Sequence, residues 1–236
     1  SGLLEAQARE LNRGFLSRIE RGRPWVRVKL AASLDGRTAM ASGESKWITG
    51  AAARADVQHW RARSGAILTG ADTVLADDPA LTVRLDPEVE VVPPLRVVLD
   101  TQLRSLAAGQ VRDGSAPALY LYGPYVTPPA GLDAEFAALP LRNGRLDLDA
   151  ALRLLGGREI NEVQVEAGPV LCGALLRGGW VDELLLYQVP VLLGDGARPL
   201  LAGLGIQAMA QRLRLDLVEE ARLGEDRRLL LRPGSP

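Results

Sequence analysis

The chain of 236 residues has one cysteine, Cys172, and one histidine, His59. A lone cysteine cannot close an internal disulfide, and a lone histidine cannot anchor a zinc site of the usual His/Cys type. Lysine is almost as scarce: Lys29 and Lys46 stand against 26 arginines. The net charge is only −1 and no Lys/Arg cluster rises above the background, which argues against nucleic-acid recognition through a basic surface. No apolar run approaches the length of a membrane span, and no basic-then-apolar segment opens the chain as a signal peptide would. No membrane partner is expected, and a reducing, cytoplasmic setting is. A paired-Cys motif, a G-x-S-x-G elbow and a Walker loop are also missing. With hydrolytic and metal chemistry disfavoured, binding an anionic cofactor that does its own chemistry becomes the attractive class.

What is present is an ordinary globular composition, 47% hydrophobic and 24% charged, long enough for one large domain or two small ones. The opening "LLEAQARELNRGFLSRIERG" carries Leu4, Ala8, Leu11, Phe15, Leu16 and Ile19 at helical spacing, with Gly22 as a stop. "PWVRVKLAAS" then alternates, so Val26, Val28, Leu30 and Ala32 share one face while Arg27, Lys29, Ala31 and Ser33 share the other. "GAILTG", "LRVVLD", "ALYLYG" and "EVQVEAG" read as buried strands. "GAAARADVQHWRARS", "LDLDAALRLLGG" and "PVLCGALLRGG" read as helices among them, and the tail around "LGED" reads as a hairpin. This order predicts an α/β fold: a mostly parallel central sheet with helices on both faces and a C-terminal antiparallel hairpin.

Three junctions concentrate polar and glycine residues where an open α/β sheet makes its ligand crevice. After the first strand, "SLDG" turns sharply, and Lys29 either reaches a ligand there or snorkels from an edge. After "AILTG", the run "ADTVLADDPALTVR" offers a helical turn, the pair Asp77–Asp78, and Arg84 in a loop suited to an anion. The third, "VQVEAGPVLCGALLRGG", ends a strand at Glu166 and opens a helix at Pro169, with Gly168 and Gly173 leaving room for a phosphate. Cys172 reads as a small apolar residue packed on that helix. These residues by themselves imply an α/β nucleotide-binding domain.

The runs "KLAASLDGRTAMASGESKWITG", "ARADVQHWRARSGAILTGADTVLADDPALTVR", "VEAGPVLCGALL" and "VDELLLYQVPVLLG" resemble the reductase domain of the bacterial riboflavin-biosynthesis deaminase/reductase, the 5-amino-6-(5-phosphoribosylamino)uracil reductase family. The resemblance spans roughly residues 1 to 232. It implies a dihydrofolate-reductase-like fold, NADPH as hydride donor, a homodimer, and reduction of the ribosyl group of a phosphoribosylated pyrimidine to ribityl. Positions matching the family's NADP contacts are Ala31, Trp47, Thr73, Asp77 and Thr101, together with the turn Gly168, Pro169, Val170, Leu171, Cys172, Gly173 and Ala174. Those matching substrate contacts are Ser45, Arg61, Leu81, Arg84 and Glu166. Lys29 matches a lysine near the reacting end, and Lys29, Asp77 and Glu166 are the expected catalytic group, with Arg61 and Arg84 on the substrate's 5′-phosphate. The deaminase motifs His-x-Glu and Pro-Cys-x-x-Cys are absent. The opening helix resembles the segment that joins the two halves of such proteins, which implies that residues 1–22 are a linker from a missing deaminase domain and 23–236 the reductase domain, excised or naturally single, without deaminase activity. Two other readings stay open: a non-catalytic nucleotide-binding module of the same fold, and a pterin-type reductase, which the Arg61/Arg84 pair disfavours.

Overall fold

The alternation read from "PWVRVKLAAS" is the organising element of the fold. A computed structural model describes residues 2–44, 48–86 and 88–234. Two short helices, α1 (Glu5–Leu11) and α2 (Arg13–Arg21), lead into β1 (Trp25–Ser33) and β2 (Arg37–Ala39). Next come α3 (Ala51–Ala62), β3 (Ala66–Gly70), α4 (Ala71–Asp77), β4 (Leu95–Leu99), β5 (Ala118–Tyr122) and β6 (Glu135–Ala138). A small hairpin, β7 (Leu141–Arg142) and β8 (Arg145–Leu146), precedes α5 (Leu148–Gly157), β9 (Glu162–Val165) and α6 (Pro169–Arg177). The chain closes with β10 (Glu183–Val189), β11 (Arg198–Pro199), β12 (Leu215–Leu223) and β13 (Asp226–Pro233).

Nine strands form the main sheet in the order β12-β13-β10-β1-β9-β3-β4-β5-β6. The strands from β10 to β6 pair in parallel, and β13 and β12 add antiparallel at one end. The expected hairpin and mostly parallel sheet are therefore present. Period-two alternation sends Val26, Val28 and Leu30 to one face, where they pack with Leu152 and Leu155 of α5 and Cys172 and Leu175 of α6. The opposite face carries two separate apolar clusters. One gathers Ile67, Val98 and Tyr120 with Val74 of α4, the other Leu185 and Tyr187 with Ala53, Val57 and Trp60 of α3. Between them that face is polar: Arg27, Gln164 and Arg61 are buried there, with Lys29 half-buried.

The opening helix differs from expectation. It breaks at Asn12, whose side chain donates to the Ala8 carbonyl at 2.9 Å and ends α1, while Gly22 stops α2 in the left-handed region at φ 69°. Its apolar stripe points outward, with Leu4, Leu11, Phe15 and Ile19 all exposed. The sheet is met instead by Gly14 and Ser17, because a Cβ at position 14 would sit 2.6 Å from Glu162 Cγ. Charged residues hold α2 in place: Arg21 and Arg23 both bond Asp182, at 2.7 and 2.8 Å.

Candidate active site

The carboxyl ends of β1, β9, β3 and β4 open onto one cleft of about 1110 Å³. Its position follows from the topology. β3 and β9 are neighbours, yet the chain leaves β3 into α4 on one face of the sheet and leaves β9 into α6 on the other. Chain exits on opposite faces leave a crevice between them, the usual ligand position of an open α/β sheet. β1 lies inside the sheet between β10 and β9, so Lys29 is no edge lysine.

Two helix starts face this crevice. α4 begins after Gly70 and α6 after Gly168; both glycines are extended, and neither helix has a side-chain cap. Pro169 has no N–H, so α6 offers an anion the amides of Val170 and Leu171, and α4 offers those of its first turn, helped by the helix dipole. The two are stitched together by the Gly168 amide, which donates to Thr73 Oγ1 at 3.2 Å. A Cβ at Gly168 would meet nothing closer than that hydroxyl, 3.9 Å away, so the cradle is open. Pro169, Val170, Leu171 and Ala174 line the same wall, and Thr73, Asp77 and Thr101 line the other side. A dinucleotide's phosphates fit such a wall, which meets them with amides rather than side chains.

Gly173 is outside this wall, and its expected role is corrected. A Cβ there would collide with the Ala202 carbonyl oxygen, so its smallness serves the crossing of the 200-region over α6 rather than a phosphate. Cys172 likewise points into the core, fully buried, its thiol donating to the Ala167 carbonyl at 3.3 Å. Burial pushes that thiol up to about 12, and its packing as a small apolar residue is as expected.

At the other end of the cleft stand Lys29, Arg61 and Glu166. Arg61 Nε and Nη2 donate to the two Glu166 oxygens at 2.7 and 2.8 Å, and Nη1 donates to the Thr82 carbonyl at 2.8 Å. Gln164 Nε2 adds a bond to Glu166 at 2.9 Å. Burial by itself would raise the Glu166 carboxyl, but the charge and bonds of Arg61, with Lys29 and Gln164, outweigh it and hold the group at about 2. Lys29 has no hydrogen-bond or ion-pair partner among the described residues; its Nζ lies 5.8 Å from the Tyr187 ring centre. Burial lowers its pKa, Glu166 opposes that, and Arg61 reinforces it. A fixed carboxylate therefore sits near an ammonium with free donors.

The expected phosphate pair is not found as such. Arg61 spends three of its five N–H donors on Glu166 and Thr82. Arg84 is exposed and outside the cleft wall, its backbone amide bonded to Gln58 Oε1 at 2.9 Å. Leu81 does line the cleft, buried, at φ 51°. Ser45 and Trp47, like Lys46, lie outside the described residues; Ser42 and Gly43 of the same loop line the cleft. Asp77, the last residue of α4, faces the cleft from an exposed position.

The cleft also includes residues that the sequence reading passed over. Gly144 and Arg145 come from the β7–β8 turn, where Asn143 and Gly144 both have positive φ. An Asn-Gly pair between Leu141 and Leu146 is a hairpin signal and could have been read. Arg104 and Arg198 also line the cleft, but nothing distinguishes them among 26 arginines.

Residues 24–229 match the RibD C-terminal domain family. The riboflavin biosynthesis protein RibD of Escherichia coli (strain K12) is 42% identical over 235 residues, covering 95% of this chain and 64% of that protein. The Haemophilus influenzae protein of the same name is 42% identical over 243 residues, covering 98% and 64%. Among solved structures, Acinetobacter baumannii RibD in one form superposes with a TM-score of 0.87 at 43% identity, covering 99% of this chain and 65% of that one. A Thermotoga maritima deaminase/5-amino-6-(5-phosphoribosylamino)uracil reductase superposes at 0.83 with 28% identity, covering 99% and 63%. The chain thus spans about 64% of the length of the curated relatives it matches. A match across nearly the whole described sheet, at this identity, leaves one assignment: the chain belongs to the RibD C-terminal domain family.

Proposed function

We propose that this chain is a reductase of riboflavin biosynthesis that uses NADPH to reduce 5-amino-6-(5-phosphoribosylamino)uracil at the ribosyl C1′, and that it works as a cytoplasmic homodimer. Residues 1–22 would then join it to a preceding domain. The observation that carries the reading is the convergence of two uncapped helix starts with Lys29 and an anionic Glu166 in one cleft.

Reduced nicotinamide, when bound, supplies the hydride. The amides at the starts of α4 and α6 would hold the dinucleotide's phosphates, with Thr73, Asp77 and Thr101 along its length. Ala31, with no side chain beyond Cβ, leaves a flat floor on β1 for the ring. Glu166, clamped by Arg61, accepts from N–H or O–H donors of the substrate, and Lys29 donates to its oxygens. Ring opening of the ribosylamine presents C1′ as a cationic imine, which needs orientation more than activation. A rigid carboxylate also stabilises that cation as it forms. Arg61 contributes chiefly through Glu166, so the 5′-phosphate falls to the two N–H groups it has left and to cations of the cleft rim.

The test compares turnover with NADPH and NADH on the deaminated phosphoribosyl substrate, in the unaltered chain and in Lys29→Ala. Substrate-dependent oxidation of NADPH that collapses in the variant supports the proposal. Cofactor binding with no substrate-dependent oxidation would instead make the chain a nucleotide-binding module.

A further inference from the structure

The β7–β8 hairpin carries a charge arrangement that its own fold does not explain. Arg142 and Arg145 stand directly opposite each other across the turn Asn143–Gly144. Like charges opposed in this way destabilise a strand pair. Asp147 answers one of them, bonding Arg142 at 3.3 Å, and Arg142 stays outside the cleft wall. Arg145 lines the cleft and has no ion pair or side-chain hydrogen bond among the described residues. The turn that presents it is a tight one, with Asn143 and Gly144 at φ 53° and 75°. Leu146, the next residue, is buried in the same cluster as Leu99, the last residue of β4.

Position along the cleft decides what Arg145 can meet. The sheet runs β1-β9-β3-β4, and with strands about 4.8 Å apart the end of β4 lies roughly 14 Å from that of β1. Lys29, Ala31 and Glu166 mark the β1–β9 end, and α6 starts just after β9. Arg145 belongs to the β4 end. A Cβ at Gly123 would lie 3.0 Å from the Thr101 carbonyl oxygen and 3.5 Å from Leu141 Cδ2, so β7 runs beside Thr101. A dinucleotide with its nicotinamide over Ala31 and its linking phosphates at α6 therefore carries its adenosine ribose to Thr101 and the hairpin. The other arginines of the cleft are spent or placed elsewhere. Arg61 is clamped on Glu166, and Arg104, at the same end as Arg145, bonds Asp72 at 2.8 Å. Arg198 crosses to the loop at Gly43, where a Cβ would meet its Nη2 at 3.1 Å.

We infer that Arg145 reads the 2′-phosphate of NADPH and so sets a preference for it over NADH. That phosphate is the one group distinguishing the two cofactors. As a dianion it relieves the opposition of Arg142 and Arg145, and it accepts charge-assisted hydrogen bonds from a guanidinium whose five N–H donors are unspent. The inference rests on the nicotinamide reading above, but not on the pyrimidine substrate.

Calorimetric titration of the full chain tests it with NADPH, NADH and adenosine 2′,5′-bisphosphate, which keeps the 2′-phosphate and lacks the nicotinamide. Arg145→Ser should weaken NADPH and the bisphosphate by about 10- to 100-fold, the scale of hydrogen bonds lost from a charged group, and leave NADH within about two-fold. Retained NADH binding in that variant also shows that its cleft is folded. Arg145→Glu should weaken NADPH further and again spare NADH. Arg142→Ser removes the same charge from the same hairpin outside the cleft and should leave NADPH within about two-fold, as expected of an exposed ion pair. NADPH affinity that survives Arg145→Ser, a loss shared equally by NADH, or a larger NADPH loss in Arg104→Ser would each overturn the role of Arg145 and leave the nicotinamide site standing. An unaltered chain that binds NADPH and NADH equally would overturn it too, and one that binds neither would overturn the cofactor reading with it.

Discussion

Two buried charge clusters lie on the same face of the sheet, two residues apart along β1. At the amino ends of the strands, fully buried Arg27 donates to Glu183 at 3.0 Å and to Glu162 at 2.7 Å, and Arg232 closes on Glu183 at 2.8 Å. Trp60 covers Arg27 at 4.5 Å, and Trp25 lies 5.2 Å from Arg232. Toward the carboxyl ends, Arg61 and Glu166 form a similar pair, but the next cation, Lys29, is bonded to nothing among the described residues and faces a cleft. The forked guanidinium is used where charge is matched inside the protein, and the compact ammonium where charge faces the cleft unmatched among the described residues. The lower cluster holds the sheet together, and the upper one leaves a valence open.

The sharpest way to break this contrast is to remove the shared carboxylate of the lower cluster. Glu183→Ala leaves Arg27 with Glu162 alone and Arg232 with Glu10 alone and should cost about 1.5–3 kcal/mol in urea unfolding, the scale of a lost charge-assisted hydrogen bond, with turnover per folded molecule retained. A loss near zero would mean that the cluster is not matched as described. Lys29→Met should do the reverse, lowering turnover by about 10²-fold or more while leaving the unfolding midpoint unchanged or higher. Lys29→Arg should not restore activity if the compact ammonium is what the cleft needs.

Acid sharpens the comparison further. The Glu166 carboxyl lies below its ordinary 4.5, at about 2, so its bond with Arg61 stabilises the fold fully above pH 4.5 and is lost as pH falls toward 2. The stability difference between the unaltered chain and Glu166→Gln should therefore shrink through that window; a constant difference would show that the carboxylate is not the group titrating. Smaller effects separate the two glycines of α6. Gly173→Ala should cost about 1–3 kcal/mol by overpacking against the Ala202 backbone. Gly168→Ala, at φ −70° with open space before it, should barely move the melting temperature but weaken NADPH binding measured by titration. Equal stability losses would remove the distinction between packing glycine and cradle glycine.

Much of this was legible beforehand. Period-two alternation placed Arg27, Lys29 and Ala31 on one face of β1, and the strand-glycine-helix junctions located the crevice, because these signals are carried by neighbours in the chain. The Asn143–Gly144 turn was equally local and was passed over. The apolar stripe of the opening segment misled for the same reason: helical spacing shows that an apolar face exists, not that something covers it, and here Gly14 and Ser17 meet the sheet. Gly173 read as a phosphate glycine until the crossing chain at Ala202 supplied another reason for its smallness.

By itself the sequence determined the order of elements, the side of β1 on which Lys29 stands, and the strand end that carries Glu166. Each follows from periodicity or turn chemistry within a dozen residues. Only the tertiary structure decided which arginines are spent and which cations stay free. Arg61 meets Glu166 across 105 positions of chain, and Arg27 meets Glu183 across 156. A charge carries no mark of its partner along the chain, because electrostatic pairing is set by distance in space, and that distance exists only once the sheet has formed.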